Sequence, residues 1–161
     1  MRNSGRAAET DFPSGDILVA IDGEQHTSMA VRWSLRLAAA LGRRIVAVHV
    51  KDPYLKQFQN EIYAQGRQAY LDYVDTCLQE TADEALDAFG RAAEESEVLW
   101  TCKVRQGDPA EELLEEIREG EYGLLVVGAR VSEGSRRKRR GGLAFRLAAE
   151  VQDLPTIIVR S

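Results

Sequence analysis

Residues 16–22 read DILVAID and are followed by Gly23. An apolar run this short, closed by a carboxylate at each end and without polar alternation, predicts a β-strand buried on both faces, as in parallel sheets. Any chemistry then belongs at its Asp22 end. From about Thr27 to Leu41 the residues Ala30, Trp33, Leu37, Ala40 and Leu41 recur at three- and four-residue intervals. They predict a helix with that stripe inward, ended by Gly42 as a C-cap. A second β-branched run, RIVAVHV over 44–50, is closed by Asp52 and Pro53. Strand, helix and strand in this order imply a right-handed parallel crossover.

The alternation continues to the end of the chain. Residues 60–96 predict a long helix with Tyr70, Tyr73, Val74, Cys77, Leu78, Thr81, Ala85, Leu86 and Phe89 along one stripe. Residues 54–58 before it form an irregular lead-in or a short helix of their own, and Gly66 is a candidate break between two pieces. VLWTCKVR at 98–105 predicts a third strand. Asp108, Pro109 and Glu111 then make a helix start, with Asp108 capping, Pro109 in the first helical position and Glu111 bonding back. The helix has Leu113, Leu114 and Ile117 inward and ends near Gly120. GLLVV at 123–127 is a fourth strand that Gly128 ends. A polar loop leads to Gly141 and Gly142, a helix carrying Leu143, Phe145, Leu147, Ala148 and Val151, and a terminal strand in LPTIIV at 154–159. The order βαβαβαβαβ predicts an α/β fold: an open parallel sheet of five strands with helices on both faces. Ligands of such sheets bind beyond the carboxyl ends of the strands, where the strand order reverses. The relevant ends are Asp22, Val50 and Gly128.

Composition limits the function classes. A chain of 161 residues, 44% hydrophobic, suits one buried core. The expected organisation is a flexible leader over 1–15 and one domain over 16–161. The net charge of −5 does not point to a dedicated nucleic-acid binder. Residues 1–15 have neither the apolar core of a secretory signal nor a membrane anchor, and no run reaches a spanning length, so the expected location is the cytoplasm. Cys77 and Cys102 stand far apart, with no CxxC or nearby His pair. They are expected to be buried and inert, with no metal site.

Together, ILVAIDG, AVHV, GDPAEELLE, LLVVGAR and LPTIIV, in this order and at these spacings, resemble the universal stress protein family over about residues 16–160. The resemblance implies a flavodoxin-like (Rossmann-like) sheet of order 3-2-1-4-5. It also implies a homodimer in which the last strand, 155–160, pairs with its counterpart across a two-fold axis. Covering an apolar sheet edge in this way is physically sensible. A monomer whose edge is blunted by Pro155 is the alternative.

ATP-binding members of that family carry a G-x2-G-x9-G-(S/T) loop after the fourth strand. Aligned here, Gly128 is the first glycine, Ala129 and Arg130 are the spacers, and Val131 takes the second glycine position. Nine residues run from Ser132 to Arg140, Gly141 is the third glycine, and Gly142 stands where Ser or Thr is expected. Two of the four positions therefore depart. β-Branched Val131 resists left-handed backbone and puts methyl groups where a phosphate would approach. Loss of the hydroxyl removes a hydrogen bond to a charged acceptor, about 1.5–3 kcal/mol. Together the changes are expected to weaken ATP binding by roughly tens- to thousands-fold.

Other features of the site are kept. By the resemblance, Asp22, with Ala20 and Ile21 before it, lies beside the base and ribose, and Val50 lines the base pocket. Leu143 and Ala144 begin the helix after the last glycine, where amides and the helix dipole favour an anion. The loop also holds Arg136, Arg137, Lys138, Arg139 and Arg140 in an uninterrupted run, with Arg130 nearby. Three readings stand for this run: phosphate neutralisation in place of the lost hydroxyl, contact with an acidic or nucleic-acid partner, and plain solvation.

His26 and His49 have no accompanying nucleophile in sequence and are assigned structural roles. Glu111, Glu112, Glu115, Glu116 and Glu119 are read as mostly the wet face of the third helix, not a metal site, and Trp33 and Trp100 as packing anchors. Asp22 either holds Mg²⁺ with ATP or caps the following helix. The leading expectation is a regulatory stress-response homodimer that acts through a protein partner, with weak or absent ATP binding. The alternative is a sensor of ATP, AMP or a cyclic nucleotide. ATP or AMP with Mg²⁺ is the cofactor that the resemblance allows. With no activated nucleophile in view, slow ATP hydrolysis is the most that enzyme chemistry is given.

Overall fold

A computed structural model describes residues 14–23, 25–53, 67–130 and 142–161. The DILVAID stretch forms β1 (Asp16–Ala20), and Ile17, Leu18 and Val19 are all buried. Successive side chains of a strand point to opposite faces, so burial of three in a row requires helices on both sides. Those helices are α1 (Gln25–Leu41) and α2 (Arg67–Glu95) on one face, α3 (Pro109–Glu119) and α4 (Leu143–Glu150) on the other. Ile17 and Val19 pack with Ala30, Leu35, Ala38, Ala85 and Phe89. Leu18 packs with Leu113, Leu114, Ala144 and Leu147.

The remaining strands are β2 (Ile45–Lys51), β3 (Trp100–Gln106), β4 (Tyr122–Ala129) and β5 (Thr156–Arg160). All pairings are parallel, and the order is β3-β2-β1-β4-β5. The flavodoxin-like order implied by the resemblance is therefore the observed one.

Helix boundaries follow the sequence signals. Gly42 has φ +63°, and the Arg43 N–H donates to the Ala38 carbonyl at 3.0 Å, which closes α1 with a left-handed cap. Asp108 caps α3 by accepting from the Glu111 N–H at 3.0 Å, and Pro109 opens the helix.

The helix faces differ from expectation. Trp33 (49% exposed) and Leu41 (56% exposed) lie outward with Ala40, whereas Thr27, Ala30, Val31, Ser34, Leu35 and Ala38 are buried. The apolar count favoured the wrong stripe because two positions on the buried face are hydroxyls. Ser34 is tolerated there because it donates to the Val31 carbonyl at 2.8 Å. Trp33 instead lies under the Arg36 guanidinium, while Trp100 packs edge-on against Phe89 as an anchor should. On α2 the inward positions are Tyr70, Val74, Leu78, Ala82, Ala85, Phe89 and Ala93, with Tyr73 and Thr81 exposed. On α4, Phe145 and Ala148 are exposed, and Ala144 and Leu147 make the contact. Cys77 and Cys102 are free and only partly buried.

Glu116 is the exception to the mostly wet acidic face expected of α3. It is 2% exposed. Lys103 Nζ (2.7 Å) and the Tyr122 hydroxyl (2.6 Å) donate to its Oε1, and Arg105 Nη1 donates to its Oε2 at 2.9 Å. Three donors compensate for the lost hydration, which is why a carboxylate is stable there.

At the other edge, β5 pairs with β4 alone among the described residues. The Leu125 N–H donates to the Pro155 carbonyl, and the Ser161 N–H to that of Ala129. Backbone groups alternate sides along a strand in a parallel ladder, so Thr156, Ile158 and Arg160 turn their N–H and C=O groups outward.

Candidate functional site at the strand ends

Because β1 lies between β2 and β4, the carboxyl ends of these three strands are neighbours. Ala20 faces Val48, and Val19 faces Val126. Asp22 follows two residues beyond Ala20, at the same end of the sheet as Val50 near the end of β2 and Ala129 at the end of β4. Residues 28 and 107 positions away in sequence are thus brought to one end of the sheet. Gly128 is not the end of β4 as expected: it pairs with Val159, and the strand continues to Ala129. Likewise β2 runs one residue beyond Val50, to Lys51.

Asp22 lies two residues past the end of β1 and is exposed. Its carboxylate accepts from the Thr27 hydroxyl in the first turns of α1, so the acid ties the strand end to the helix that follows. Gly23 takes φ +80°, a left-handed conformation that lets the chain turn at once from strand to helix. Ile21 is buried and Ala20 partly so. The Ile21 N–H still donates to the Val48 carbonyl at 2.9 Å.

Beneath this turn His49 is 4% exposed, and its Nδ1 lies 2.9 Å from the Ile21 carbonyl oxygen. A carbonyl only accepts, so Nδ1 carries the proton and the ring is the Nδ1–H tautomer. Burial pushes the imidazole below its usual basicity. The Ile21 carbonyl and Asp22 oppose that shift, and Lys51 adds to it. The structural role assigned to His49 is therefore a definite hydrogen bond between β2 and the end of β1. Sequence reasoning missed that bond, since the AVHV run shows a histidine in a buried strand but not its partner.

On the α4 side, Gly142 is exposed and occupies the N-cap with extended backbone, and no side chain caps the helix. Leu143 is partly buried and Ala144 is buried. Arg130 is exposed just past β4. Val131, Gly141 and the basic run Arg136, Arg137, Lys138, Arg139 and Arg140 lie outside the described residues, as does the 54–66 segment. Among the described residues no group of three or more His, Cys, Asp or Glu side chains is placed to hold a metal. Nor is any described helix long and apolar enough to cross a membrane.

An opening of about 540 Å³ lies beside the ends of β2 and β3, lined by Lys51, Gln106 and the α2 residues Asp75, Thr76, Leu78, Gln79 and Glu80. Lys51 Nζ donates to Gln79 Oε1 there at 2.5 Å. Apart from Leu78, which belongs to the apolar stripe of α2, the sequence does not mark these residues.

Known proteins resemble this chain over nearly its whole length. The model of the Universal stress protein family matches residues 14–160. Universal stress protein YxiE of Bacillus subtilis (strain 168) is 24% identical, the alignment covering 89% of this chain and 97% of that protein. Among solved structures, universal stress protein UspA from Lactobacillus plantarum superposes with a TM-score of 0.69 at 17% identity, covering 91% of this chain and 97% of that one. A universal stress protein family protein from Arabidopsis thaliana, solved with AMP bound, superposes with a TM-score of 0.62 at 17% identity, covering 91% and 92%.

Proposed function

We propose, since the chain belongs to the universal stress protein family, that it is a regulatory homodimer whose strand-end site takes an adenine monophosphate in preference to ATP. The observation that carries this reading is the asymmetry of the site. Its base and ribose side, Asp22 held by Thr27 at the strand end it shares with Val50, is built. Its phosphate side opens on α4 at Gly142, with no side-chain oxygen at the N-cap.

A monophosphate draws mainly on the built side and asks for one anion contact near the amides of Leu143 and Ala144. A triphosphate needs the loop that Val131 and Gly142 have altered. The AMP bound to the Arabidopsis relative is compatible with such a ligand in this fold. Mg²⁺ has less to do with a monophosphate than with ATP, and Asp22 is then a ribose ligand rather than a metal ligand.

The homodimer reading rests on the outward row of backbone groups at Thr156, Ile158 and Arg160, which a second copy of β5 would satisfy. Regulation would follow from ligand occupancy altering what the dimer binds. The fold, and the absence of a spanning helix among the described residues, are in keeping with action in the cytoplasm.

Calorimetric titration of nucleotide-stripped protein with AMP, and separately with Mg-ATP, tests the reading. Saturable AMP binding, tighter than ATP and weakened by Asp22→Ala, is the expected result. Equal or tighter ATP binding would mean that the basic run has replaced the lost loop contacts and that an ATP switch is the better description. Silence with both, up to about millimolar dissociation constants, would leave the regulatory dimer without this ligand.

A further inference from the structure

We infer that His49 is the positioning residue of the strand-end site: its Nδ1–H bond to the Ile21 carbonyl fixes the turn that presents Asp22 to a ligand. The inference rests on the adenine-nucleotide reading for its ligand, but its structural content can be tested without one. Four observations converge. First, His49 is buried within β2 while its partner carbonyl lies past the end of β1, where regular pairing has stopped. Second, Ile21 is the residue immediately before Asp22, so the peptide that receives the bond is the one from which Asp22 hangs. Third, the Ile21 N–H is also engaged, by the Val48 carbonyl at 2.9 Å, so β2 grips both backbone groups of one residue, one by main chain and the other by side chain. Fourth, the Asp22 carboxylate accepts from the Thr27 hydroxyl of α1, and Gly23, next in the chain, takes φ +80°.

Such a clamp explains a polar ring in an otherwise apolar strand. Val46, Ala47 and Val48 are buried without any polar side-chain group. A fourth apolar residue at position 49 would leave the Ile21 carbonyl without this donor. A carbonyl freed in that way can rotate, and Asp22 moves with it. Positional freedom of about 1 Å in a binding carboxylate is enough to cost affinity, because the ligand must then order it. His49 makes no direct ligand contact in this scheme and has no proton-transfer role. It acts on the ligand only through Asp22.

The test compares His49→Leu, which removes the donor at similar volume, with His49→Asn, whose amide nitrogen takes the place of Nδ1. Hydrogen exchange at the Ile21 amide, with the Val19 amide as the mid-strand control, is the first readout. In the Leu variant Ile21 should exchange faster and Val19 should not, and Asn should restore protection. AMP titration is the second: the Leu variant should bind about tenfold more weakly, with Asn within about threefold of wild type. If wild type binds AMP and Leu binds it equally well, the positioning role is wrong while the ligand reading survives.

Should wild type bind no nucleotide, the ligand reading alone fails, and Ile21 exchange decides the clamp. Unchanged exchange in the Leu variant would overturn it. Because His49→Leu can impair folding, nitrogen NMR of wild type supplies an independent check. The neutral ring must carry its proton on Nδ1; protonation on Nε2 alone would overturn the inference.

Discussion

Arg105 Nη1 donates at 2.9 Å to Oε2 of Glu116, eleven residues away, and joins the edge strand β3 to helix α3 through a buried carboxylate. The same guanidinium reaches Glu112 through Nε at 2.8 Å and Glu119 through Nη1 at 3.0 Å. Replacing it with Met should destabilise the protein by about 2–3 kcal/mol, because Glu116 stays buried with one oxygen short of its donor. Lys103→Met should cost less, since that ammonium is half exposed. Burial raises the Glu116 pKa, but the bonds from Lys103, Tyr122 and Arg105 outweigh it and the net shift is downward. The carboxylate therefore stabilises the fold above its ordinary value of 4.5, and that contribution is lost as pH falls through the lowered one. Urea unfolding of wild type and Glu116→Gln between pH 3 and pH 6, roughly, should show a steeper acid loss in wild type.

His49 titrates with consequences in a different range. Burial holds its pKa below the ordinary 6.5, with Asp22 opposing and Lys51 assisting. In that window the unfolded state binds more protons than the folded one. Stability is therefore full above about pH 6.5 and falls as pH drops toward the lowered value. Thermal melts should show this loss in wild type, and His49→Asn should flatten it.

Asp108 isolates the worth of a single cap. Its carboxylate accepts the Glu111 N–H and also meets Arg146 Nη1 at 3.0 Å on the surface. Asp108→Ala should lower stability by about 1 kcal/mol, while Asp108→Asn keeps the cap and should lose much less. Denaturant midpoints at constant slope would separate the two.

Ile158 lies at the centre of the outward-facing row of β5. Because its N–H points away from β4, Ile158→Pro removes a donor from the free edge without breaking the ladder. Light scattering should then report a dimer for wild type and a monomer for the variant, with far-ultraviolet circular dichroism unchanged. A dimer that persists would place the interface elsewhere.

The altered loop can be reversed. Val131→Gly combined with Gly142→Ser restores the G-x2-G-x9-G-(S/T) pattern and a hydroxyl at the α4 N-cap. Mg-ATP affinity should rise by about tenfold or more, measured by calorimetry, and AMP affinity by less.

Much of this was legible in the chain itself. Three consecutive buried apolar residues in DILVAID require cover on both faces, and the strand and helix periods alternate without interruption, so the parallel α/β class followed from local pattern alone. Gly42 and Asp108 marked helix ends correctly because caps are local chemistry, settled within a few residues. That the β1, β2 and β4 ends are neighbours was implied by the family resemblance, and the strand order has it so. The face of α1 was misjudged because a tally of apolar side chains cannot see that Thr27 and Ser34 find partners inside.

What only the tertiary structure decided are the long-range polar contacts. Nothing near Glu116 in sequence marks it apart from the other four glutamates of α3. It is buried because Lys103, Arg105 and Tyr122 converge on it from β3 and β4. Nor does AVHV say that its imidazole ends on the carbonyl of Ile21, 28 residues earlier. Hydrophobic periodicity is a property of neighbours along the chain, whereas a buried polar group is stable only through a partner that the packing of distant elements brings within about 3 Å.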